Sequence, residues 1–296
     1  MADTKTERTT ACSEVQSQTP WNPDSINGSQ KLWLVEDVAA KLTSGPPIEG
    51  SKSPVPFFHI LERLKTTPRA GWRRFGVTQG ESISDHMYRM AMMTLFAPKS
   101  LAGKIDVARC TKMALLHDIA EAMVGDITPV EGIPKAEKNR RESTTMDYLT
   151  KNVLGNVDDG KVAEEMREIW QEYEDSETLE SKFVHDIDKI ELILQMVEYE
   201  RANACKIDLG EFSWVTCRII IPEMKEWTKT IIEEREELWA GSEHVSYTAI
   251  EDPDVVVATM LAKNVQRLDI DAEQSIQHKP VQDVDGSEHQ TNSKLE

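Results

Sequence analysis

A histidine followed directly by an aspartate stands inside the apolar run KMALLHDIAEAMVGD. His117 and Asp118 are ionisable, and burying an unpaired charge is costly, so both side chains need partners. On a helix, Glu121 would share a face with both, and Asp126 follows just past Gly125, where the chain turns. One imidazole and three carboxylates at one helix end would self-repel unless a cation lay among them. For the dipeptide alone, a buried histidine that donates to a neighbouring carboxylate is the more ordinary interpretation.

Two more candidate ligands lie elsewhere in the chain. His86 has Met90 four residues on, so it faces the apolar side of its helix, where a lone histidine is more often a satisfied core residue. Asp188 lies between Val184 and Leu192, four residues to either side, on a partly buried helical stripe. Two imidazoles and two carboxylates suit Mn²⁺, Co²⁺, Fe²⁺, Zn²⁺ or Mg²⁺. A catalytic metal site also leaves a coordination position open for water and substrate.

Two neighbours compete with Asp188 for the role of ligand. Asp186 has Lys182 four residues before it, which predicts a more exposed position for its carboxylate. His185 is interpreted as a surface residue, or as one that supports the ligands without binding the metal.

The segment PRAGWRRFG gathers Arg69, Arg73 and Arg74 around Trp72 in an otherwise acidic chain. Arginine suits bidentate recognition of phosphate, and tryptophan offers a flat wall to a sugar or base. The segment could also be a surface loop whose arginines pair with some of the excess carboxylates.

Helical spacing of apolar residues positions these candidates. Ser82 and Asp85 form a capping-box pattern at the start of the His86 helix. Further helices are expected over 106–123, 134–154, 162–173, 178–204 and 222–239, and no convincing alternating strand pattern is present. The sequence therefore predicts an all-α fold, a single helical domain of about six to eight helices.

The composition divides the chain into three parts. Residues 1–53 are rich in Ser, Thr, Pro, Asn and Gly and read as a disordered N-terminal arm, with an apolar patch at 32–38 that could form a helical turn or dock. Residues 54–240 form the predicted domain. Residues 241–296 read as a mostly irregular acidic tail, in which the apolar run 255–262 could serve packing or partners.

The charge of the chain excludes several classes of partner. With 34 Lys and Arg against 52 Asp and Glu, the 296 residues carry a formal net charge of −18, which disfavours nucleic-acid polymers and anionic membranes. The start lacks the apolar core of a secretory signal, and no apolar stretch approaches the roughly 18 residues of a membrane span. The four cysteines show no metal or redox spacing and read as reduced thiols. A cytoplasmic location is expected, with the nucleus as the alternative.

The order His86, then His117-Asp118, then Asp188-Lys189, each on a helix, resembles the HD superfamily of metal-dependent phosphohydrolases. The blocks SISDHMYRMAMM, ALLHDIAEAMVGDITP and DIDKIELILQMVEYE extend the resemblance to the HD-domain-containing protein 2 group, which is similar to the bacterial 5′-deoxynucleotidase. The resemblance covers roughly residues 55 to 240 and neither tail.

This resemblance implies hydrolysis of deoxynucleoside 5′-monophosphates with a divalent cofactor, Mn²⁺, Co²⁺ or Mg²⁺. It implies His86, His117, Asp118 and Asp188 as metal ligands. Asp118 and Glu121 are then catalytic, with Glu121 orienting the attacking water or carrying a proton to the leaving oxygen. In a second interpretation Glu121, Asp126 and the Ile127 carbonyl bind a second metal, and in a third Glu121 only holds a ligand histidine in place.

The resemblance also bears on substrate and assembly. It implies substrate contacts from Asp126, from Trp72 and from one arginine, which we assign to Arg69 with Arg73 and Arg74 as alternatives. Trp72 would help to exclude the ribose 2′-hydroxyl. Because the resembling enzymes are commonly dimers, a homodimer is expected. Two alternatives stay open, a related phosphohydrolase acting on cyclic nucleotides or nucleoside triphosphates, and a non-catalytic scaffold with the same fold.

Overall fold

The computed structural model describes residues 32–128 and 131–246, and this part of the chain consists of helices joined by turns. Its α-helices are α1 (Val35–Ala39), α2 (Val55–Thr66), α3 (Ala70–Arg73), α4 (Ile83–Thr94), α5 (Lys99–Ala102), α6 (Val107–Leu116), α7 (Glu121–Val124), α8 (Lys135–Asp147), α9 (Lys161–Asp175), α10 (Leu179–Ala202) and α11 (Pro222–Leu238). A π-helical turn at Tyr148–Val153 extends α8, and 3₁₀ segments cover Val157–Gly160 and Gly210–Arg218. Within these ranges β-structure is limited to one antiparallel bridge between Pro68 and Ser82, so the all-α prediction is confirmed. No helix in these ranges has the length and apolar character to cross a membrane.

The start of α4 forms as its sequence predicts. The hydroxyl of Ser82 accepts a hydrogen bond from the Asp85 backbone N–H at 3.2 Å, and the Asp85 carboxylate accepts one from the Ser82 N–H at 2.9 Å. These reciprocal bonds satisfy two backbone donors that a helix start leaves open. They fix the first turn of the helix that carries His86.

The single helix expected over 106–123 is wrong, because the chain breaks between α6 and α7. The Trp170 indole N–H donates to the His117 carbonyl at 3.1 Å, and that carbonyl is the acceptor a continuous helix would offer to Glu121. The Glu121 N–H bonds instead to the Asp118 carbonyl at 2.9 Å. Adjacent residues point in different directions on a straight helix, whereas this tighter turn lets His117 and Asp118 enter one cluster.

Part of the predicted N-terminal arm packs on the domain. Val35, Ala39 and Leu42 are buried at helical spacing, and α1 packs against α7 and α8. Arg140 donates to the Trp33 carbonyl at 3.0 Å. The ordered structure therefore begins before the predicted boundary at residue 54. Residues 1–31 lie outside the described residues.

The ordered structure also continues past residue 240. The Asp208 carboxylate accepts from the Val245 N–H at 2.7 Å, and Arg235 donates to the Val245 carbonyl at 2.9 Å. Arg235 is fully buried and forms an ion pair with buried Glu200 at 2.9 Å. Residues 247–296, including the apolar run 255–262, lie outside the described residues.

The apolar core has two clusters that meet along α4 and at the α6–α7 break. Met90 on α4 and Met113 on α6 belong to the first, which includes α10 and α11. Met87 on α4 and Ile119 after the break belong to the second, which includes α1 and α2. Leu116 packs against both clusters. His86 and the His117-Asp118 pair therefore lie at the boundary between the two clusters.

Candidate metal centre and active site

Four predicted ligands from three parts of the fold meet at this boundary. Asp188 Oδ1, from α10, lies 3.2 Å from Nε2 of His86 on α4. Asp118 Oδ2 lies 3.1 Å from Nε2 of His117 and 3.8 Å from Nε2 of His86. Both imidazoles are buried, and one donor atom each from His86, His117 and Asp188 can be chosen so that all lie within 4.8 Å of one another. The structure thus brings the predicted set together.

The tautomer of each histidine follows from the partner of its Nδ1 atom. His86 Nδ1 lies 2.5 Å from Glu191 Oε2, and His117 Nδ1 lies 3.0 Å from the Ala114 carbonyl oxygen. Both partners accept, so each Nδ1 carries a proton, and Nε2 is the nitrogen that presents a lone pair to a cation once any proton on it is displaced. Both Nε2 atoms are buried without a hydrogen-bond partner. Lone pairs facing carboxylates fit a divalent cation bound between them.

The pKa shifts within the cluster also favour a bound cation. Burial and Arg69 lower the pKa of His86, but Glu191 and Asp188 outweigh them and raise it to about 9. Burial raises the pKa of Asp188, yet His86, His117 and Arg69 hold it well below its usual range. The cluster therefore favours positive charge next to ionised carboxylates, and a divalent cation binding there would displace protons.

Two supporting residues were missed by the sequence analysis. Glu191 is fully buried, and besides His86 it contacts Arg89, whose Nε donates to it at 2.8 Å. The Tyr173 hydroxyl donates to Asp188 Oδ2 at 3.4 Å, and the Tyr173 ring centroid lies 5.0 Å from that of His117. The available signal was the spacing of Glu191, three residues after Asp188 on one helix face.

Asp186 is buried rather than exposed, which corrects the expectation drawn from Lys182. It is 1% exposed, and its carboxylate accepts from the backbone N–H groups of Ile220 and Ile221, the latter at 2.8 Å. These bonds engage Asp186 where α11 begins, and Asp188 takes the position in the cluster. His185 stacks on Tyr173 at 3.9 Å between centroids, so it lies behind the ligands.

Glu121 and the loop after α7 border the cluster on another side. Glu121 is buried, and its Oε2 has no hydrogen-bond partner. Burial, Asp118 and Asp126 raise its pKa well above the usual range. Asp126 Oδ2 accepts from the Ala70 N–H at 2.6 Å, which ties the loop to the segment preceding α3. The Ile127 carbonyl accepts from Lys138 at 3.3 Å, and Lys138 is a cation that the sequence analysis did not single out.

Of the three candidate arginines, Arg69 reaches the cluster. Its Nη1 lies 3.5 Å from Asp118 Oδ2. Arg73 is exposed, and Arg74 extends toward Glu211, 3.9 Å away. The structure therefore favours Arg69 as the arginine next to a bound substrate.

Trp72 does not offer the exposed wall that was expected. It is 1% exposed and packs against Tyr199 and Phe212, with ring centroids 5.2 and 4.6 Å away. Its indole N–H donates to Glu81 Oε1 at 3.0 Å, and the same carboxylate oxygen lies 3.8 Å from Arg69 Nε. The physical reason is the local bridge between residues 67–69 and 81–83, which turns the indole inward. Glu81 thus connects Trp72 to Arg69.

Comparison with known proteins identifies the family to which the chain belongs. A family model described as HD domain matches residues 61–228, more than half of the 296 residues. The chain belongs to the HD domain family. Within it, the 5′-deoxynucleotidase hdd1 of Schizosaccharomyces pombe is 46% identical over 191 residues, covering 64% of this chain and 94% of the relative. The human 5′-deoxynucleotidase HDDC2 is 42% identical over 151 residues, covering 51% of this chain and 70% of the relative.

A solved structure has a similar fold. The PH0347 protein of Pyrococcus horikoshii superposes with a TM-score of 0.50 at 29% identity, covering 62% of this chain and 99% of that protein. The family model and the sequence relatives confirm the resemblance to the HD-domain-containing protein 2 group.

Proposed function

We propose that this HD domain protein is a metal-dependent 5′-deoxynucleotidase, which hydrolyses deoxynucleoside 5′-monophosphates to deoxynucleoside and phosphate. The observation that carries the proposal is the pair of buried Nε2 atoms on His86 and His117, which face Asp118 and Asp188 without a hydrogen-bond partner. This is a donor set for one divalent cation, in a chain 46% identical to a relative named for this activity.

The metal would be held by His86, His117, Asp118 and Asp188, and Mn²⁺, Co²⁺ and Mg²⁺ are the candidates. When bound, a divalent cation lowers the pKa of coordinated water and polarises a phosphoryl oxygen. Asp118 also faces Arg69 at 3.5 Å, so it links the metal ligands to the phosphate-binding side.

Glu121 is proposed as the catalytic carboxyl group. It lies one turn after Asp118, buried, with Oε2 free of hydrogen bonds. From there it can orient the attacking water or carry a proton to the 5′-oxygen of the leaving nucleoside. The alternative, in which Glu121, Asp126 and the Ile127 carbonyl bind a second metal, uses the same oxygen atoms.

The substrate contacts are assigned to Arg69 and Asp126. Arg69 offers a planar fork to phosphate, and its side chain is 15% exposed, so its stem is covered while its end borders the cluster. Asp126 is held in place by the Ala70 N–H, which leaves oxygen lone pairs for a sugar hydroxyl. Trp72 acts indirectly, because it holds the Glu81 carboxylate that faces Arg69.

A homodimer is part of the proposal. Tyr88, Met92, Leu95 and Phe96 are apolar and between 42% and 69% exposed. They follow one another at helical spacing on and just after α4, which suits burial against a second copy. Light scattering of the purified protein measures the assembly.

Phosphate release from metal-stripped protein tests the function. Deoxynucleoside and ribonucleoside 5′-monophosphates are incubated with Mn²⁺, Co²⁺ or Mg²⁺ added back, with the Asp118→Ala variant as control. Release from deoxynucleotides that needs metal and Asp118 supports the proposal. If folded, metal-loaded protein releases nothing from monophosphates, the proposal fails. Cyclic nucleotides and triphosphates are then assayed, and inactivity on these as well points to the scaffold alternative.

A further inference from the structure

Lys138 on α8 reaches across to α7 and to the loop that follows it. Its Nζ donates to the Ile127 carbonyl at 3.3 Å and lies 4.0 Å from Glu121 Oε1. Glu142, one turn further along α8, lies 3.5 Å away. The Lys138 side chain is 33% exposed, whereas that of Glu121 is 4% exposed. The ammonium thus borders both solvent and the buried catalytic carboxyl group.

The partners of Lys138 leave part of its binding capacity open. An ammonium carries three N–H donors; the Ile127 carbonyl accepts one at 3.3 Å, and the Glu142 carboxylate, 3.5 Å away, accepts a second. Glu121 and Glu142 are near enough for attraction. Burial lowers the pKa of Lys138, but Glu142, Glu121, Asp118 and Asp126 together raise it above its ordinary value.

A phosphate monoester needs positive charge from more than one direction to enter this acidic cluster. The carboxylates of Asp118, Asp126 and Asp188 would repel its dianion. Arg69 reaches Asp118 from the segment preceding α3, and Lys138 reaches Glu121 from α8, so the two cations arrive from separate elements. Both cations interact electrostatically with Asp118, Asp126 and Glu121, so they border the same group of carboxylates.

We propose that Lys138 is a phosphate-binding residue of this site, whose ammonium binds a non-bridging phosphate oxygen of the substrate while Arg69 binds another. This inference rests on the proposed function, because it takes a phosphate monoester as the substrate. A charge-assisted hydrogen bond to phosphate is among the stronger polar contacts in proteins. Lys138 thereby accounts for the second cation at a site for which the sequence analysis offered only arginines.

Three variants of the full-length, metal-loaded protein test the inference. Lys138→Met keeps the length of the side chain and removes its charge, whereas Lys138→Arg keeps the charge. Lys151→Met is the matched control, because Lys151 is exposed and pairs with Asp147 at 3.1 Å. Binding of inorganic phosphate is measured by calorimetry, which needs no turnover, and kcat, KM and bound metal are measured alongside.

In Lys138→Met we expect phosphate binding to weaken, and KM for deoxynucleotides to rise, by about 10- to 100-fold. Bound metal should be unchanged, Lys138→Arg should restore most phosphate binding, and Lys151→Met should match the wild type. Unchanged phosphate binding in Lys138→Met would overturn the inference, as would loss of the metal or of the fold, since either marks a structural role. If the wild type releases no phosphate from any nucleotide, the proposed function fails, yet calorimetry still decides whether Lys138 binds phosphate.

Discussion

His86 and Glu191, 105 residues apart in sequence, are in contact in the interior, with Nδ1 and Oε2 separated by 2.5 Å. Both side chains are fully buried, and Arg89 donates to the second oxygen of the same carboxylate at 2.8 Å. Glu191 therefore holds the proton of His86 on Nδ1 and directs Nε2 toward Asp118 and Asp188. A carboxylate behind a ligand histidine fixes the orientation of the ring and raises its basicity.

Glu191→Gln should weaken metal binding by about 10- to 100-fold, because the amide keeps the shape but loses the charge that orients His86. Competition with a chromogenic chelator measures the affinity. The control is Glu198→Gln, which removes another partner of Arg89, one that is 47% exposed and distant from His86. Equal metal affinity in both variants would show that Glu191 is only a packing residue.

Glu121→Gln should lower kcat by about 10²- to 10⁴-fold, the usual contribution of a general acid or base. The His86, His117, Asp118 and Asp188 ligands remain, so one metal per chain should still bind. Steady-state kinetics and metal analysis are run on the same preparations. Glu164→Gln, on the exposed face of α9, serves as the control. Near-wild-type turnover would show that Glu121 only holds a ligand histidine in place. Loss of a second metal would favour the two-metal alternative.

Arg69→Ala should raise KM for deoxynucleotides by about 10- to 100-fold, because a charged hydrogen bond to phosphate is lost. Arg69→Lys should recover only part of this loss, since an ammonium cannot replace the planar fork. Arg73→Ala, an exposed neighbour four residues on, should behave as wild type. If Arg73→Ala raised KM and Arg69→Ala did not, the phosphate contact would be assigned to Arg73 instead.

Trp72→Phe should act on stability rather than on sugar discrimination. The variant leaves a cavity in the core and deprives Glu81 of its indole donor, at a cost of about 2 kcal/mol of unfolding free energy. The ratio of kcat/KM for deoxy and ribo substrates should stay at the wild-type value. Urea unfolding and paired kinetics measure the two effects, and a collapse of that ratio would instead support direct contact with the sugar.

Glu142 should make the metal-stripped protein less stable as the pH rises. Burial raises its pKa to about 7, with Lys138 offsetting only part of the shift. Between its ordinary pKa and about 7 the folded state holds a proton that the unfolded state releases, so the free energy of unfolding falls across this window. The unfolding free energy of Glu142→Gln minus that of the wild type should therefore be up to about 3 kcal/mol larger at high pH than at low pH.

Urea titrations at two pH values test this sign, one just above the ordinary pKa of a glutamate and one on the alkaline side of that window. Glu137→Gln is the control, because hydrogen bonding to Arg140 lowers the pKa of Glu137 to about 2. The Glu137 carboxylate makes its full contribution to the unfolding free energy above the ordinary pKa of a glutamate, and this contribution is lost only in stronger acid. The Glu137 variant should therefore differ from wild type by the same amount at both pH values, and parallel behaviour of the two variants would contradict the assignment to Glu142.

The four candidate ligands that meet in the structure were predictable from their local contexts together with the resemblance to the HD superfamily. His117 and Asp118 stand in an apolar run, and His86 and Asp188 follow helical stripes that a single sequence displays. The helices α8 to α11 were predicted near their observed bounds for the same reason. What local spacing could not supply was contacts between distant segments.

The errors share that cause. Lys182 made Asp186 look exposed, but Asp186 binds backbone N–H groups some 34 residues away. Trp170 interrupts the predicted helix at His117 from 53 residues away. Lys138 was overlooked because its partner Glu121 belongs to another helix. Each depends on tertiary packing, which overrides local preference.

The boundary between the two core clusters has a consequence for the lifetime of the protein in a cell. His86 and His117-Asp118 lie where the two clusters meet, so a bound cation would add a further link between clusters that α4 and Leu116 already connect. Binding to the native state alone adds to stability in proportion to the logarithm of free metal over Kd. When the supply of metal falls, the two clusters would open more often and expose chain to proteases. The abundance of the protein, as well as its activity, would then follow the metal status of the cell.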